Sequence, residues 1–375
     1  YDPFSIDITE ALKPVGPQEI IVGVFDPTDS GEQPRGKQVH NPTDIWYTAA
    51  TGIWQTVWLE PVPLTHIEIL MITPDVDQWS VRVAAEVSDR SNDVTVHAEV
   101  IDQGQVIATG YGPPDSDLVI SISNPRLWSP SNPYLYDLRV RLIRQGRYID
   151  TVGSYFGMRK IEVSTDGGVS RLKINGETLF QMGVLDQGYW PDGLYTAPTD
   201  QALKYDIEAT KWLGYNLIRK HMKVEPDRWY YWADRLGILV WQDMPMGNNW
   251  GQWGQNVYQD ELQRMIKSLY NHPSIIVWVL FNEHWGQFNT HNITDLAKKM
   301  DPSRLVIGST GYAEPYVGDL ASFHSYGKVD FPPISTDQAK VLAEWGGLGL
   351  PISGHTWSSG EFRWAQPAHI EYTTD

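Results

Sequence analysis

The polar and apolar positions of this chain follow two different rules. Up to about residue 161 they alternate. Trp79-Ser80-Val81-Arg82-Val83-Ala84-Ala85-Glu86-Val87, Val94-Thr95-Val96-His97-Ala98-Glu99-Val100 and Leu135-Tyr136-Asp137-Leu138-Arg139-Val140-Arg141-Leu142 have the two-residue period of strands with one buried face. Turn residues separate them at short, regular intervals, with no helical spacing between. This predicts an immunoglobulin-like sandwich over residues 63–161. Upstream, Ile20-Ile21-Val22-Gly23-Val24-Phe25 and Gly52-Ile53-Trp54-Gln55-Thr56-Val57-Trp58-Leu59-Glu60 read as further strands around a Gly-, Pro- and charge-rich loop at 29–44. Residues 1–62 hold too few strands to close a sandwich, so part of this domain is expected upstream. The start at Tyr1-Asp2-Pro3, without Met, fits a fragment or a processed chain.

From about residue 162 continuous apolar runs alternate with helical spacing. Strands are expected at 179–184, 216–220, 238–243, 275–281, 304–308, 320–324 and 340–344. Glu225-Pro226-Asp227-Arg228 reads as a helix start, after which Trp229, Trp232, Ala233 and Leu236 recur at i, i+3, i+4, i+7 until Gly237. Leu262, Met265, Ile266 and Leu269 repeat that spacing. Alternating strands and helices imply a parallel sheet, best fitted by a barrel. The expected architecture is a partial β-sandwich (jelly-roll) over 1–62, an immunoglobulin-like sandwich over 63–161 and a (β/α)8-type TIM barrel over 162–375. Seven barrel strands are visible. The eighth is expected to be missing, leaving the barrel incomplete.

Composition narrows the partners. The net charge is -17 and no basic run occurs, which argues against nucleic acid and anionic membranes. No apolar run reaches the length of a membrane helix. There is no cysteine, which excludes disulfides, thiolate metal sites and a cysteine nucleophile. The 17 Trp and 19 Tyr offer flat apolar faces with a polar handle, suited to sugar rings as well as to a core.

The chemistry is concentrated at strand ends. The seven apolar residues 275–281 finish in Asn282-Glu283, and Lys340-Val341-Leu342-Ala343 finishes in Glu344. A charge cannot be buried inside such a run without large cost, so each carboxylate belongs at the carboxyl end of its strand, the catalytic rim of a barrel. These are the fourth and seventh strands, which face each other across the mouth. A pair of carboxylates with one held protonated is the machinery of glycoside hydrolysis, and a separation of about 5–5.5 Å predicts retention. Glu283 is then the acid/base and Glu344 the nucleophile.

Asn271-His272-Pro273-Ser274-Ile275-Ile276-Val277-Trp278 followed by Asn282-Glu283 resembles the acid/base signature of glycoside hydrolase family 2, which comprises β-galactosidases, β-glucuronidases and β-mannosidases. Gly52-Ile53-Trp54-Gln55-Thr56-Val57-Trp58-Leu59 resembles the end of its sugar-binding sandwich. Pro125-Arg126-Leu127-Trp128-Ser129-Pro130 and Pro133-Tyr134-Leu135-Tyr136 resemble its middle domain. Phe156-Gly157-Met158-Arg159-Lys160-Ile161 and Asn216-Leu217-Ile218-Arg219 resemble the entry to its barrel and the second strand. The resemblance covers essentially the whole chain. It implies a retaining reaction, with Asn282 on the sugar 2-hydroxyl and Tyr326 donating to Glu344 to keep it ionised. Asp186, His221 and Asp243 are candidates for sugar hydroxyls, and Trp190, Trp345, Trp357 and Trp364 for stacking. The third strand ends Trp241-Gln242-Asp243-Met244-Pro245, without the Glu and His that hold magnesium in bacterial β-galactosidases of the family. No catalytic metal and no cofactor is therefore expected.

These expectations add up to a retaining exo-β-glycosidase, with β-galactosides favoured and β-glucuronidase or β-mannosidase activity as alternatives, a carbohydrate as partner and a homo-oligomer as an option that the family suggests. A non-catalytic carbohydrate-binding protein or inactive fragment, and an endo-acting glycanase of the same clan, are the rival readings.

Overall fold

The computed structural model describes residues 1–43, 45–89, 91, 93–311, 314, 316–326 and 338–346. The two sequence patterns become two bodies. In the first, β3 (Ile67–Asp75), β4 (Ser80–Val87) and β7 (Leu118–Ser121) form one antiparallel sheet; β5 (Val94–Asp102), β6 (Gln105–Gly112), β8 (Tyr136–Arg144) and β9 (Arg147–Phe156) form the other. The predicted alternation is realised in β8, where Tyr136, Leu138, Val140 and Leu142 are buried and the residues between them less so. These four pack with Val81, Val83, Val96, Ala98 and Val100 into one core.

Ahead of the sandwich the strand expectation is corrected. Residues 20–25 and 52–60 form no strand; regular structure there is a 3-10 turn at Thr9–Ala11 and two two-residue strands, β1 (Gln38–Val39) and β2 (Tyr47–Thr48). Ile21 and Phe25 are 88% and 90% exposed. A strand is stable only when a neighbour accepts its backbone hydrogen bonds, and these segments find none among the described residues.

A hairpin follows the sandwich: β10 (Ile161–Asp166) and β11 (Val169–Ile174), joined at Gly167-Gly168 and extended by β12 (Glu177–Thr178). It was not expected. Ile161 and Ile174 pack with Leu217, Leu239 and Leu305, residues that open their strands, so the hairpin covers the amino-terminal floor of the barrel.

All seven expected barrel strands are present: β13 (Gly183–Asp186), β14 (Leu217–Lys220), β15 (Leu239–Asp243), β16 (Ile275–Asn282), β17 (Leu305–Thr310), β18 (Leu320–Ser325) and β19 (Ala339–Trp345). β13 to β17 form a parallel sheet in sequence order, and β18 pairs in parallel with β19. The first strand begins four residues later than expected. The expectation that the eighth strand is missing concerns residues 347–375, which lie outside the described residues. Helices α1 (Asp200–Trp212), α2 (Asp227–Leu236), α3 (Gln252–Leu269) and α4 (Thr290–Met300) lie between strands. In α3 the four residues that repeat at helical spacing are all buried. Gly237 ends α2 with a positive φ of 73°. A Cβ there would meet the Pro130 carbonyl at 2.8 Å, because the sandwich packs against this turn. No helix among the described residues is long and apolar enough to cross a membrane.

Candidate active site

Every residue of β16 is buried, so its first charged residue is carried to the rim. Glu283 sits there with φ 57°, a left-handed conformation that costs a non-glycine residue energy and is found at functional sites. Its backbone is tied to the next strand: Glu283 N donates to Thr310 O at 2.8 Å and Ser309 Oγ donates to Glu283 O at 3.1 Å. Gly311 leaves the space beside it, since a Cβ there would lie 3.0 Å from Glu283 Cγ.

Glu344 ends β19. Its Oε1 accepts from Arg219 Nη1 at 3.2 Å, and its Oε2 accepts from the Tyr326 hydroxyl in a short hydrogen bond. His324 of β18 stands between the two carboxylates: Nδ1 is 3.1 Å from Glu283 Oε1 and Nε2 is 3.6 Å from Glu344 Oε1. One imidazole therefore faces both acids. The expected pair of rim carboxylates and the expected tyrosine donor are brought together.

The electrostatics differ between the two acids. Burial pushes the Glu344 carboxyl up. Arg219, His324, His221 and the Tyr326 hydrogen bond outweigh it and hold the group at about 2. Glu283 is lowered as well, chiefly by the His324 hydrogen bond, against burial and the Glu344 charge, which both raise it. Trp285 Nε1 also donates to Glu283 Oε2 at 3.1 Å. The expectation that one carboxyl is held protonated is thus not met in the free protein, because an imidazole and an indole both supply donors to Glu283.

Beneath the acids lies a residue that the sequence reading placed in a strand but not in the site. Arg219 is 3% exposed. Its Nε and Nη2 donate to Asp243 Oδ1 and Oδ2 at 3.0 and 2.9 Å, and Nη2 also reaches Asn282 Oδ1 at 2.9 Å and Thr310 Oγ1 at 3.2 Å. Thr310 Oγ1 donates to Asn282 Oδ1 at 2.7 Å. With its oxygen engaged twice, Asn282 is locked with its amide nitrogen free to donate. His221 Nδ1 lies 2.7 Å from Asp243 Oδ2. Burial depresses His221 despite that carboxylate. Burial raises the Asp243 carboxyl, but Arg219 and His221 together bring it below its ordinary value.

A cavity of about 280 Å³ opens above these groups, lined by His221, Asn282, Glu283, Tyr326 and Glu344, and also by Gln187, Met222, Met246 and Trp285. The rest of its wall comes from Gly346 and, in the amino-terminal segment, from Lys37, Ile45 and Trp46. This segment is strapped to the barrel mouth by hydrogen bonds from Arg35 N and Gly36 N to Met246 O at 2.8 and 2.9 Å, and is held to itself by one from Tyr47 N to Lys37 O at 2.9 Å. The Trp46 and Trp285 rings meet at 5.0 Å and 55°, forming an aromatic corner.

Other expected site residues are placed differently. Asp243 does not line the cavity; it is consumed by Arg219 and His221. Asp186 is also spent, accepting from Lys220 Nζ at 2.6 Å and Gly188 N at 2.8 Å, and the next residue, Gln187, takes its place on the wall. Trp345 is exposed and lines no part of the cavity. Trp190 packs against the barrel core. Trp357 and Trp364 lie outside the described residues. Among the described residues no three His, Asp or Glu side chains converge to hold a metal ion. Arg219 and His324 had a legible signal, since each interrupts an apolar strand whose burial forces the polar group inward or to the rim. Lys37 and Trp46 had none, because a loop crossing to another body leaves no periodicity.

Residues 65–159 match the family model described as glycosyl hydrolases family 2, and residues 170–345 match that family's TIM barrel domain. A provisionally named β-glucuronidase of Formosa agariphila is 30% identical over 86% of this chain and 40% of its own length. A β-galactosidase of Thermoanaerobacter pseudethanolicus is 28% identical over 81% of this chain and 42% of its own. The chain thus spans about two fifths of the length of these relatives. Among solved structures, a β-glycosidase from Bacteroides vulgatus superposes with a TM-score of 0.61 at 26% identity, over 70% of this chain and 35% of that one.

Proposed function

The chain belongs to glycosyl hydrolase family 2, and from that premise we propose that it hydrolyses terminal β-glycosides with retention, through a covalent bond between the sugar and Glu344. The observation that carries this is the state of Glu344. It is held ionised at about 2 by Arg219 and Tyr326 on the rim opposite Glu283. A carboxylate so stabilised is a competent nucleophile at neutral pH and does not act as a proton donor.

In the first half-reaction a Glu344 oxygen attacks the anomeric carbon while Glu283 protonates the departing oxygen. In the second, Glu283 takes a proton from water, which attacks the same carbon and releases Glu344. The proton on Glu283 is coupled to this cycle. Substrate expels water from the cavity, and the Glu344 charge also raises Glu283, so the acid form is favoured in the complex. Once Glu344 is esterified its charge is gone and Glu283 falls again, as a base requires. Asn282, held by Arg219 and Thr310, donates its amide to the sugar 2-hydroxyl. The cavity, closed on one side by the amino-terminal strap, suits one terminal ring rather than a polymer. The domain division is proposed as expected: 1–62 the end of a sugar-binding domain, 63–161 the middle sandwich, 162–375 the barrel.

Two substrate classes fit. β-Galactosides are the ones favoured from the sequence, and a relative carries that name; Lys37 in the cavity wall favours an acidic sugar. The test is turnover of aryl β-galactoside, β-glucuronide, β-mannoside and β-glucoside, with the anomer first released read by NMR. Glu344→Gln is expected to abolish turnover. Glu283→Gln is expected to lower kcat/KM by about 10²–10⁴-fold, with the loss shrinking as the leaving group improves. No turnover of any of the four substrates, or release of the inverted anomer, defeats the reading.

A further inference from the structure

Among the described residues that line the cavity, Lys37 is the one whose charge the site does not use. It is 9% exposed and lines the cavity together with both carboxylates. Among the described residues no hydrogen bond or ion pair is made by its ammonium. The nearby acids have other donors: Glu344 accepts from Arg219 and Tyr326, and Glu283 faces His324 and Trp285. Arg219 is likewise spent on Asp243, Asn282 and Glu344. Burial presses the Lys37 ammonium toward neutrality, with Glu344 and Glu283 opposing it.

The position of Lys37 is built. Arg35 N and Gly36 N both donate to Met246 O, Tyr47 N donates to Lys37 O, and β1 begins at the next residue and pairs with β2. Gly36 has φ +63°, and a Cβ on it would collide with the Met222 carbonyl oxygen. The backbone therefore approaches the barrel as closely as it can, and the lysine enters the cavity as a consequence. A lysine kept largely out of water with no anionic contact is costly, and such an arrangement is expected where a ligand supplies the anion. A neutral hexose has only hydroxyls, which accept a hydrogen bond but leave the charge uncompensated. A ring bearing a carboxylate completes the pair, and charge-assisted hydrogen bonds are about twice as strong as neutral ones.

We propose that Lys37 recognises the carboxylate of a β-linked uronic acid, making this a site for hexuronides. The proposal rests on the β-glycosidase reading and narrows it. Lys37 is a specificity residue delivered by the amino-terminal segment rather than by the barrel.

The test compares the wild-type chain with Lys37→Met and Lys37→Arg. Two readouts are used: kcat/KM on p-nitrophenyl β-glucuronide and β-galactoside, and the affinity of glucarolactone and galactonolactone. The expected result is that wild type prefers the acidic member of each pair. Lys37→Met should lower the acidic-to-neutral ratio by on the order of 10- to 100-fold, and Lys37→Arg should restore part of it. Equal losses on both substrates overturn the proposal, since they make Lys37 a general counter-ion of the carboxylates. Turnover of galactoside with none of glucuronide also overturns it, while leaving the β-glycosidase reading intact. If neither aryl substrate turns over, the lactones still decide Lys37. A glucarolactone preference lost in Lys37→Met upholds the proposal, and no preference overturns it.

Discussion

At the scale of single residues the site is a problem in holding charge. Glu344 is kept at about 2, below the ordinary glutamate value of 4.5. Its lowered value favours the folded state at any pH above the ordinary one, and that contribution is lost as pH falls toward about 2. Tyr326 supplies one of the opposing donors. Removing its hydroxyl raises the Glu344 pKa, so in Tyr326→Phe the acid limb of the kcat/KM profile should move to higher pH, with kcat lowered by about 10- to 100-fold. An unmoved acid limb in the pH–rate profile would show that Tyr326 does not tune Glu344. Glu283 and Glu344 were legible in the sequence because an apolar strand cannot end in a buried, unpaired charge. Their environment was not. His324 and Trp285 lower Glu283, where the residue pattern alone suggested an acid kept protonated, and only the fold brings those donors to it.

At the scale of elements, burial decided which expectations held. β16 and α3 form as expected because their apolar residues have somewhere to go: the barrel core takes Ile275, Trp278, Leu262, Met265 and Ile266. Residues 20–25 and 52–60 have as good a strand pattern, but no partner strand lies beside them among the described residues. The segment between them, expected as a plain loop, is the strap that carries Lys37 and Trp46 to the cavity. Gly36 is its tightest point. Gly36→Ala places a Cβ at a positive φ against the Met222 carbonyl, a strain of about 1–3 kcal/mol, so the denaturant midpoint is expected to fall. The proposed preference for acidic sugar should fall in parallel, because Lys37 is the next residue. A lowered midpoint with an intact preference would mean that the strap does not position the lysine.

For the whole molecule, the sandwich and the barrel are joined by buried contacts rather than by a linker. Trp128 is fully buried, packs with barrel residues Leu217 and Leu239, and donates from Nε1 to Asp234 O at 2.8 Å. Arg159 donates to Pro273 O, Ser303 O and Ile275 O at 2.9 to 3.0 Å, tying the junction to the start of β16. Trp128→Ala should cost about 3–5 kcal/mol and split chemical unfolding into two transitions, one per body. A single cooperative transition at unchanged midpoint would argue against this coupling. The sequence by itself determined the order of the two bodies, seven barrel strands and the two carboxylates at the rim, because period and burial are local properties of a chain. Only the tertiary structure decided how those carboxylates are charged, that Asp186 and Asp243 are spent beneath the cavity, and that a distant loop closes it. Charge states and cavity walls depend on residues far apart in sequence, and no local pattern records which of them will meet.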